Sequence, residues 1–379
     1  MIGRLRISLA ALRHNAKTLR DLVGPKHAAF VVKSNAYGHG LVETALAAEP
    51  FARRICVYGV EEAIALRDGG VTAPILVLGP VPSDALSDAM AAELDLALWD
   101  TGEFARKLAA AARKRQTRAP VHVKVNTGLN RLGLEPHELV DAVEDYLHVS
   151  ELHVAGVFSH LSSAEELDSA STMQQLETFE RALASAEALF ERAQVVPLRH
   201  IAASAAAIRW PQTRLDLSRF GIALYGLWPS EETREASGAS GIILEPALSY
   251  ESELVVVRSV AAGSPIGYGE TYHAARDMRV GVVPAGYADG IPRALSNRGS
   301  FLVGGTACPI VGRVAMNLTE IDLTDAPNAY VGSAVTLIGR DGEASIGADD
   351  WARWCDTINY EIVARLPSEI PRVYVDDER

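Results

Sequence analysis

The segment FVVKSNAYGHG, residues 30–40, ends an apolar run with a lysine and then enters a turn that contains two glycines. A lysine amine attacks an aldehyde or removes a carbon-bound proton only when it is neutral, and burial lowers its pKa. Lys33 therefore stands where an apolar strand could tune an amine for covalent or base chemistry. The alternative interpretation is a surface lysine that marks the exit of a strand into solvent.

Four further polar residues end later apolar runs or follow them closely. They are Arg131 in NTGLNRLG, His160 in FSHLSS, Ser204 in AASAA and Arg219 in SRFG. Gly221 and Ile222 then open the segment GIALYG, where bare backbone N–H groups can face an anion. A lysine that could form an imine, opposite such a phosphate cradle, suggests pyridoxal 5'-phosphate as a cofactor.

The elements that must position these residues are eight short apolar runs, which alternate with alanine-rich segments of helical character. The runs are AAFVVK (28–33), ICVYGV (55–60), PILVLG (74–79), LDLALW (94–99), VHVKVN (121–126), VAGVFSH (154–160), LRHIAAS (198–204) and RLDLSRFG (214–221). This order predicts a (β/α)8 TIM-like barrel, whose active sites lie where the strands end. The alternative is a doubly wound open sheet, but no G-x-G-x-x-G follows the first run.

From about residue 231 the pattern changes. The polar linker SEETREASGASG precedes runs divided by Gly and Pro, namely SELVVVRSV, MRVGVVP, CPIVGRVAM and AVTLIG. These features predict a mostly antiparallel β domain. We expect an α/β chain with a barrel over residues 10–230, a β-rich C-terminal domain over 231–379, and residues 1–9 packed with the second domain.

Composition narrows the class of protein. The chain has 379 residues, of which 48% are hydrophobic, and a formal net charge of −12. The densest basic run is RKRQTR, residues 113–118, so a nucleic-acid partner is disfavoured. No apolar stretch suits a signal peptide or a membrane span, which predicts a cytoplasmic protein without a membrane partner. The cysteines lack C-x-x-C spacing, so neither a disulfide framework nor a metal site is expected.

Seven blocks of the sequence resemble the barrel-type, fold type III pyridoxal-phosphate alanine racemase family, in the family's order and along essentially the whole chain. They are VVKSNAYGHG (31–40), KVNTGLNRLG (124–133), SRFGIALYGL (218–227), IGYGETY (266–272), VPAGYADG (283–290), VGRVAMN (311–317) and INYEI (358–362). The resemblance implies two-base interconversion of L-alanine and D-alanine, which supplies D-alanine for peptidoglycan. It also implies a homodimer whose active sites are shared between subunits.

The resemblance assigns a role to each matching residue. Lys33 becomes the Schiff-base lysine and the base for one face of the substrate, and Tyr268 becomes the base for the other face, supplied by the other subunit. Arg219 faces the pyridine nitrogen, which it cannot protonate because guanidinium only donates hydrogen bonds. His160 lies against the cofactor ring and supports this arginine. The implied phosphate contacts are Tyr37, Ser204, Gly221, Ile222 and Tyr360.

Other matching residues concern the substrate. Arg131 lies near the cofactor's phenolic oxygen and the substrate carboxylate, and Lys124 matches a lysine that is often carbamylated to hold that arginine. Met316 offers its backbone N–H to the substrate carboxylate from the other subunit. Tyr287, Arg293 and Arg313 match an access corridor.

Three departures from the family pattern, at Glu165, Ala315 and Asn317, bear on substrate range and on the corridor. Alternatives to an alanine racemase are a racemase of another small amino acid such as serine and a related fold type III amino-acid decarboxylase. The decarboxylase's Gly-rich phosphate segment and C-terminal cysteine motif are not found. A non-catalytic single-domain barrel would lack the β domain, and a periplasmic racemase would need a signal peptide.

Overall fold

The computed structural model describes residues 3–100, 102–168, 170–238 and 241–376. The chain divides into two compact units. The barrel unit consists of the described residues of 11–36 and 41–246, and the sheet unit of those of 1–10, 37–40 and 247–379. The domain boundary that the sequence suggests between residues 230 and 231 stays a prediction.

The barrel unit is built on eight parallel strands. Strands are numbered along the chain from β1 (Arg4–Ser8), which belongs to the sheet unit, and continue with β2 (Ala28–Val31), β3 (Arg54–Val57), β4 (Ile75–Val77), β5 (Leu94–Leu98), β6 (Ala119–Lys124), β7 (Leu152–Phe158), β8 (Leu198–His200) and β9 (Ser218–Phe220). They pair in the order β8-β7-β6-β5-β4-β3-β2-β9, and a parallel bridge joins Ala203 to Arg219 beyond β8. Because each strand overlaps one predicted run, the predicted barrel is confirmed.

Helices connect these strands and cover them. In the described chain up to residue 238 they are Leu9–Val23, Leu41–Ala48, Val60–Asp68, Leu86–Ala91, Glu103–Lys114, Leu139–His148, Ala170–Ala193, Ser204–Arg209 and Glu231–Ser237. Glu103–Lys114 shows why these segments are helical, since Ala105, Leu108, Ala109 and Ala112 form one buried stripe. Within the described ranges, no helix has both the length and the apolar character that a membrane crossing requires.

The barrel interior contains polar as well as apolar side chains. Every residue of β4 and β5 is buried, as expected for parallel strands covered on both faces. Aliphatic layers usually fill such a barrel. Here Asp95, His122, His200 and Arg219 are buried among them. Burying polar groups is unfavourable unless they are hydrogen-bonded, so these four side chains need partners inside the barrel.

The sheet unit is mostly antiparallel, as predicted. Its further strands are β10 (Leu248–Glu253), β11 (Val256–Val260), β12 (Pro265–Ile266), β13 (Tyr272–His273), β14 (Met278–Val283), β15 (Ser300–Val303), β16 (Thr306–Pro309), β17 (Thr319–Asp322), β18 (Ala334–Asp341), β19 (Ala344–Ile346) and β20 (Arg372–Val375), with helices Ala348–Cys355 and Asn359–Ala364. The largest sheet has the order β16-β15-β18-β10-β1-β20, with β19 on β18. Among the described ladders of the sheet unit, only the β1–β20 pairing is parallel. Smaller sheets are β11-β14-β17 and β12-β13.

Asn15 ties the helix Leu9–Val23 to the segment that follows the barrel strands. Its side chain is fully buried. Asn15 Nδ2 donates to Leu224 O at 3.1 Å and to Glu245 O at 2.8 Å, and Oδ1 accepts from Glu245 N at 2.8 Å. One amide therefore satisfies three backbone groups that would otherwise lack these partners.

Replacing Asn15 with leucine keeps the number and branching of the side-chain heavy atoms, in a bulkier side chain, but removes the bonds to these three backbone groups. We expect Asn15→Leu to destabilise the barrel unit by about 2–4 kcal/mol, measured as a lower midpoint of thermal unfolding. Lys17→Leu on the same helix is the matched control, because the Lys17 side chain is 63% exposed. Equal midpoints for the two variants would contradict a structural role for Asn15.

Candidate active site

Lys33 lies two residues beyond the end of β2, after the buried Val31 and Val32. Its side chain is half-buried. Burial is the main cause that lowers the pKa of the Lys33 amine, and the Arg131 guanidinium lowers this pKa further. The Glu62 carboxylate has the opposite effect and raises it. The structure thus gives this lysine a larger neutral fraction near neutral pH than an exposed lysine has.

Lys124, at the end of β6, is the second amine in this region, and it is buried. Burial and then the charges of Arg219, Arg131 and Lys33 lower its pKa to about 8. Its Nζ lies 5.9 Å from the ring centroid of Trp99 and 5.4 Å from that of Phe158. The aromatic faces offer electrostatic attraction to the cation, but they do not neutralise its charge.

Arg131 projects from a loop that closes on itself after β6. Asn126 N donates to Leu134 O at 2.8 Å, and Leu134 N donates to Lys124 O at 2.9 Å. The loop therefore begins and ends at the same strand end, and it holds the exposed Arg131 between those ends. Arg131 acts electrostatically on Lys33, Lys124 and His160, so the structure brings these residues together.

Arg219 on β9 is buried and bonded to neutral acceptors. Its Nη2 donates to Ser159 O at 2.8 Å and to Ile201 O at 3.2 Å, and lies 3.4 Å from His160 Nδ1. Burial lowers its pKa to about 10, which still leaves the guanidinium charged at neutral pH. Burial, followed by Arg219 and the other nearby cations, lowers the pKa of His160 to about 3, so His160 is a neutral acceptor.

A chain of buried side chains continues from Arg219 across the barrel. Arg219 Nη1 lies 2.6 Å from His200 Nδ1, and His200 Nε2 lies 2.8 Å from His122 Nδ1. His122 Nε2 is 3.3 Å from Asp95 Oδ2, which also accepts a hydrogen bond from Arg54. Burial lowers the pKa of both histidines.

The arginine sets the proton positions along this chain. Guanidinium only donates, so the neutral His200 accepts at Nδ1 and carries its proton on Nε2. His122 then accepts at Nδ1 and carries its proton on Nε2, which lies 3.3 Å from Asp95 Oδ2. The buried guanidinium is thereby oriented by neutral rings, while the carboxylate stays at the far end.

Lys33, Lys124, Arg131 and Arg219 thus form a cationic cluster at the strand ends of the barrel unit. In the described part of the chain, no hydrogen bond or ion pair joins any of these four residues to a carboxylate. A cationic cluster of this kind in a protein of net charge −12 is a site for anionic ligands.

Ser204 and Gly221 meet at the loops after β8 and β9. Gly221 N donates to Ser204 Oγ at 3.0 Å, and both residues are buried. Ser204 begins the short helix Ser204–Arg209, and Ile222 begins the turn Ile222–Tyr225. Because the serine oxygen accepts from Gly221, the hydroxyl proton can be donated to an anion. These residues are therefore suited to bind phosphate.

Tyr37 and Tyr360 lie together within the sheet unit, with ring centroids 6.2 Å apart. Burial raises the pKa of Tyr37 to about 12, so its hydroxyl keeps its proton and can donate it. The neighbouring Gly38 cannot be replaced without movement, since an added Cβ would lie 2.1 Å from Val363 O. This close packing fixes the YGHG segment on the helix Asn359–Ala364.

Tyr268 opens the short turn Tyr268–Glu270 between β12 and β13 and is 73% exposed. An added Cβ at Gly269 would lie 3.0 Å from Arg313 Nη1, so the Arg313 guanidinium lies beside this turn.

Two backbone hydrogen bonds join the segments that contain Tyr287 and Met316. Tyr287 N donates to Ala315 O and Ala288 N donates to Met316 O, each at 2.9 Å. Tyr287 and Met316 are exposed on neighbouring segments, and Arg293 is exposed in the turn Arg293–Leu295.

The three departures have structural settings of their own. Asn317 Nδ2 donates to Asp289 Oδ2 at 3.2 Å. Ala315 pairs through its backbone, which makes the side chain unimportant for that contact. Burial raises the pKa of Glu165.

Comparisons with known proteins agree along the whole chain. The model of the alanine racemase N-terminal domain matches residues 7–229, and that of the C-terminal domain matches residues 247–374. The chain belongs to the alanine racemase family. An alanine racemase of Desulforamulus reducens is 38% identical and one of Symbiobacterium thermophilum 39%; each alignment covers 97% of this chain, and 98% and 96% of the respective relatives.

Solved alanine racemases also share the fold. The enzyme from Streptomyces lavendulae superposes with a TM-score of 0.92 at 35% identity, covering 99% of this chain and 97% of that one. A Bacillus anthracis alanine racemase with bound L-Ala-P has a TM-score of 0.89 at 32% identity, covering 99% and 95%. Since alanine racemases are isomerases, the predicted family and enzyme class are confirmed.

Sequence reasoning missed three residues of the candidate site, namely Glu62, Asp95 and His200. Asp95 is the one charged residue in LDLALW, and His200 lies in an apolar run. A polar side chain at such a position is a signal for an inward, hydrogen-bonded group. Glu62 carries a weaker signal, because acidic residues are common in the first turn of a helix.

The effect of Arg131 on Lys33 can be measured directly. Arg131→Gln removes the second cause of the lowered pKa, so we expect the Lys33 pKa to rise. The rate at which an amine reagent modifies Lys33 in cofactor-free protein, followed by peptide mass spectrometry, should shift to higher pH. Arg115→Gln, on the exposed end of the helix Glu103–Lys114, is the control. An unshifted profile for Arg131→Gln would refute the coupling.

Proposed function

We propose that this enzyme interconverts L-alanine and D-alanine with pyridoxal 5'-phosphate as its cofactor. The observation that carries the proposal is the cationic cluster of Lys33, Lys124, Arg131 and Arg219, none of which is hydrogen-bonded or ion-paired to a carboxylate in the described chain. The cofactor's phosphate and phenolate and the substrate's carboxylate supply the anions that such a cluster stabilises. Family membership, and the L-Ala-P bound to the Bacillus anthracis relative, support an alanine-like substrate.

The barrel residues fit this cofactor. Lys33 would hold its aldehyde, while the Ser204 hydroxyl, oriented by the N–H of Gly221, and the backbone N–H of Ile222 would hold its phosphate. On the family resemblance we propose phosphate contacts also for the hydroxyls of Tyr37 and Tyr360. When bound, pyridoxal phosphate withdraws electrons from the Cα–H bond of an attached amino acid.

Arg219 and His160 would face the cofactor's ring. A guanidinium that is held by carbonyl groups and neutral histidines has no proton to give at neutral pH. Arg219 would therefore leave the pyridine nitrogen opposite it unprotonated, and so would moderate the electron withdrawal that the bound cofactor supplies. His160, with its pKa of about 3, accepts from Arg219 and does not compete as an acid.

Arg131 would bind the substrate carboxylate, because its planar guanidinium matches two carboxylate oxygens. Lys124 is proposed to support this arginine. Its pKa of about 8 leaves an appreciable neutral fraction at neutral pH, and only a neutral amine adds carbon dioxide. Carbamylation would turn this cation into an anion that can pair with Arg131.

Racemisation requires acid–base groups on both faces of Cα. We propose Lys33 for one face and Tyr268, contributed across a homodimer interface, for the other. The exposure of Tyr268, Met316 and Tyr287, at 73%, 56% and 45%, supports a surface that another subunit covers.

The remaining residues of the sheet unit would serve the substrate. Met316 would offer its backbone N–H to the substrate, and Tyr287, Arg293 and Arg313 would line the substrate's access corridor. A cytoplasmic location and supply of D-alanine for peptidoglycan rest on the family resemblance.

Chiral analysis of products tests the reaction. Purified enzyme with pyridoxal phosphate should convert L-alanine to nearly equal amounts of both enantiomers, because their free energies are equal. Lys33→Ala should lower the rate at least about 100-fold, while Lys114→Ala, on the exposed end of a helix, should not change it. Faster conversion of L-serine than of L-alanine would replace alanine as the proposed substrate.

Borohydride reduction of the same enzyme locates the attachment. Mass spectrometry of the digest should find the cofactor on Lys33. Lys124 is the informative alternative, since its pKa is lowered as well. Cofactor attached to Lys124 would contradict the assignment whatever the activity.

Mixing inactive variants tests whether subunits share the site. Lys33→Ala and Tyr268→Ala should each be nearly inactive, because each lacks the base for one face. In a mixed dimer, a shared site gives one intact site and one doubly damaged site. When equal amounts of the two variants are mixed and their subunits are allowed to exchange, about half of the dimers should be mixed. The mixture should then regain about a quarter of wild-type activity. No regain, with exchange shown by differential mass tagging, would exclude sharing.

A further inference from the structure

The backbone that follows Lys33 adopts an unusual conformation. Ser34, Asn35 and Ala36 have φ/ψ of 56°/55°, 52°/45° and 52°/52°, and Tyr37 has a φ of 51°. These values describe a left-handed turn, although none of the four residues is glycine. Side chains with a Cβ are unfavourable in this region, and a run of them is rarer than a single one. Such a turn persists only where surrounding groups hold it.

The Glu62 side chain bonds to this turn within the barrel unit, in addition to the backbone bond that Ala36 N donates to Val32 O at 2.8 Å. Glu62 Oε1 accepts from Ser34 N at 2.6 Å and from Asn35 N at 3.4 Å. Its Oε2 accepts from Tyr58 N at 3.0 Å. One carboxylate therefore links the turn after β2 to the segment after β3.

The position of Glu62 favours this use of its charge. It lies in the first turn of the helix Val60–Asp68, where the helix dipole stabilises a carboxylate. In this turn the N–H groups of Ser34 and Asn35 both donate to the same Glu62 oxygen. A further bond, from Leu41 N to Asn35 Oδ1 at 3.0 Å, holds the far end of the turn.

We propose that Glu62 is a positioning residue for Lys33: its carboxylate holds the left-handed turn that aims the lysine side chain from the end of β2. The inference rests on the proposed role of Lys33. It adds a residue that itself contacts neither cofactor nor substrate. The charge of Glu62 also acts on the Lys33 amine, in the direction opposite to burial.

Glu62→Gln in the holoenzyme tests the proposal. A glutamine has nearly the same shape, but an NH2 group, which only donates, replaces one of the two oxygens, so either the bonds to Ser34 N and Asn35 N or the bond to Tyr58 N is lost. Amide hydrogen exchange in residues 33–37 should accelerate about tenfold or more, with exchange elsewhere unchanged. We expect kcat for alanine to fall about tenfold and KM to change less than twofold, because the lysine is misplaced while the carboxylate site remains.

Glu61→Gln is the matched control. Glu61 is the preceding residue, is exposed, and makes no hydrogen bond to the turn among the described contacts. It should leave exchange and kcat at wild-type values. Local exchange that does not change in Glu62→Gln would overturn the proposal, and so would faster exchange throughout the barrel unit, which would indicate general destabilisation.

A compensating substitution makes the test specific. Glycine is free to adopt the left-handed conformation, so Ser34→Gly relieves strain that Glu62 otherwise offsets. The double variant Ser34→Gly, Glu62→Gln should regain at least half of the lost kcat, and a double variant no better than Glu62→Gln would count against positioning. Borohydride trapping of the cofactor on Lys33 in each variant tests the proposed function. Amide hydrogen exchange in the turn tests the positioning role, because this exchange does not depend on the reaction. The two failures are therefore distinguishable.

Discussion

Four cations, Lys33, Lys124, Arg131 and Arg219, share the strand ends of the barrel with no carboxylate bonded to any of them in the described chain. Such an arrangement is unfavourable without an anion, because burial and like charges both penalise the charged forms. The structure responds in two ways. The amines have lowered pKa values, and the guanidinium of Arg219, which cannot lose its proton, is bonded to carbonyl groups and neutral rings instead.

The polar interior of the barrel follows from this constraint. A buried guanidinium needs acceptors, and a carboxylate beside it would cancel the charge that the site requires. His200 accepts a hydrogen bond from Arg219 without carrying charge. His122 lies between His200 and Asp95, 2.8 Å from the first and 3.3 Å from the second. Asp95 pairs with Arg54 at the other end. The negative charge is thus kept two rings away from the arginine that it helps to orient.

Backbone geometry is the second constraint on the site. The lysine lies directly before a left-handed turn, and the YGHG segment after that turn packs against Val363 so closely that Gly38 admits no side chain. A lysine on an ordinary loop would sample many rotamers and positions. Here the backbone on both sides of Lys33 is held, by β2 before it and by the turn bonded to Glu62 after it.

Sequence alone determined the barrel, the β-rich second unit and the strand-end positions of Lys33, Arg131, His160, Ser204 and Arg219. Strand and helix periodicities are local, and a parallel barrel brings the ends of all its strands to one face.

Tertiary structure alone decided which groups form hydrogen bonds with one another. Asp95, His122 and His200 become neighbours across 105 residues of chain, and the donor-only Arg219 beside His200 sets the order of their protons. Ser34, Asn35, Ala36 and Tyr37 give no local sign of left-handed backbone, because a carboxylate from the next βα unit stabilises it. At the histidine chain and at the left-handed turn, hydrogen bonds between residues far apart in the sequence determine the structure. A sequence pattern shows only the conformational preferences of neighbouring residues.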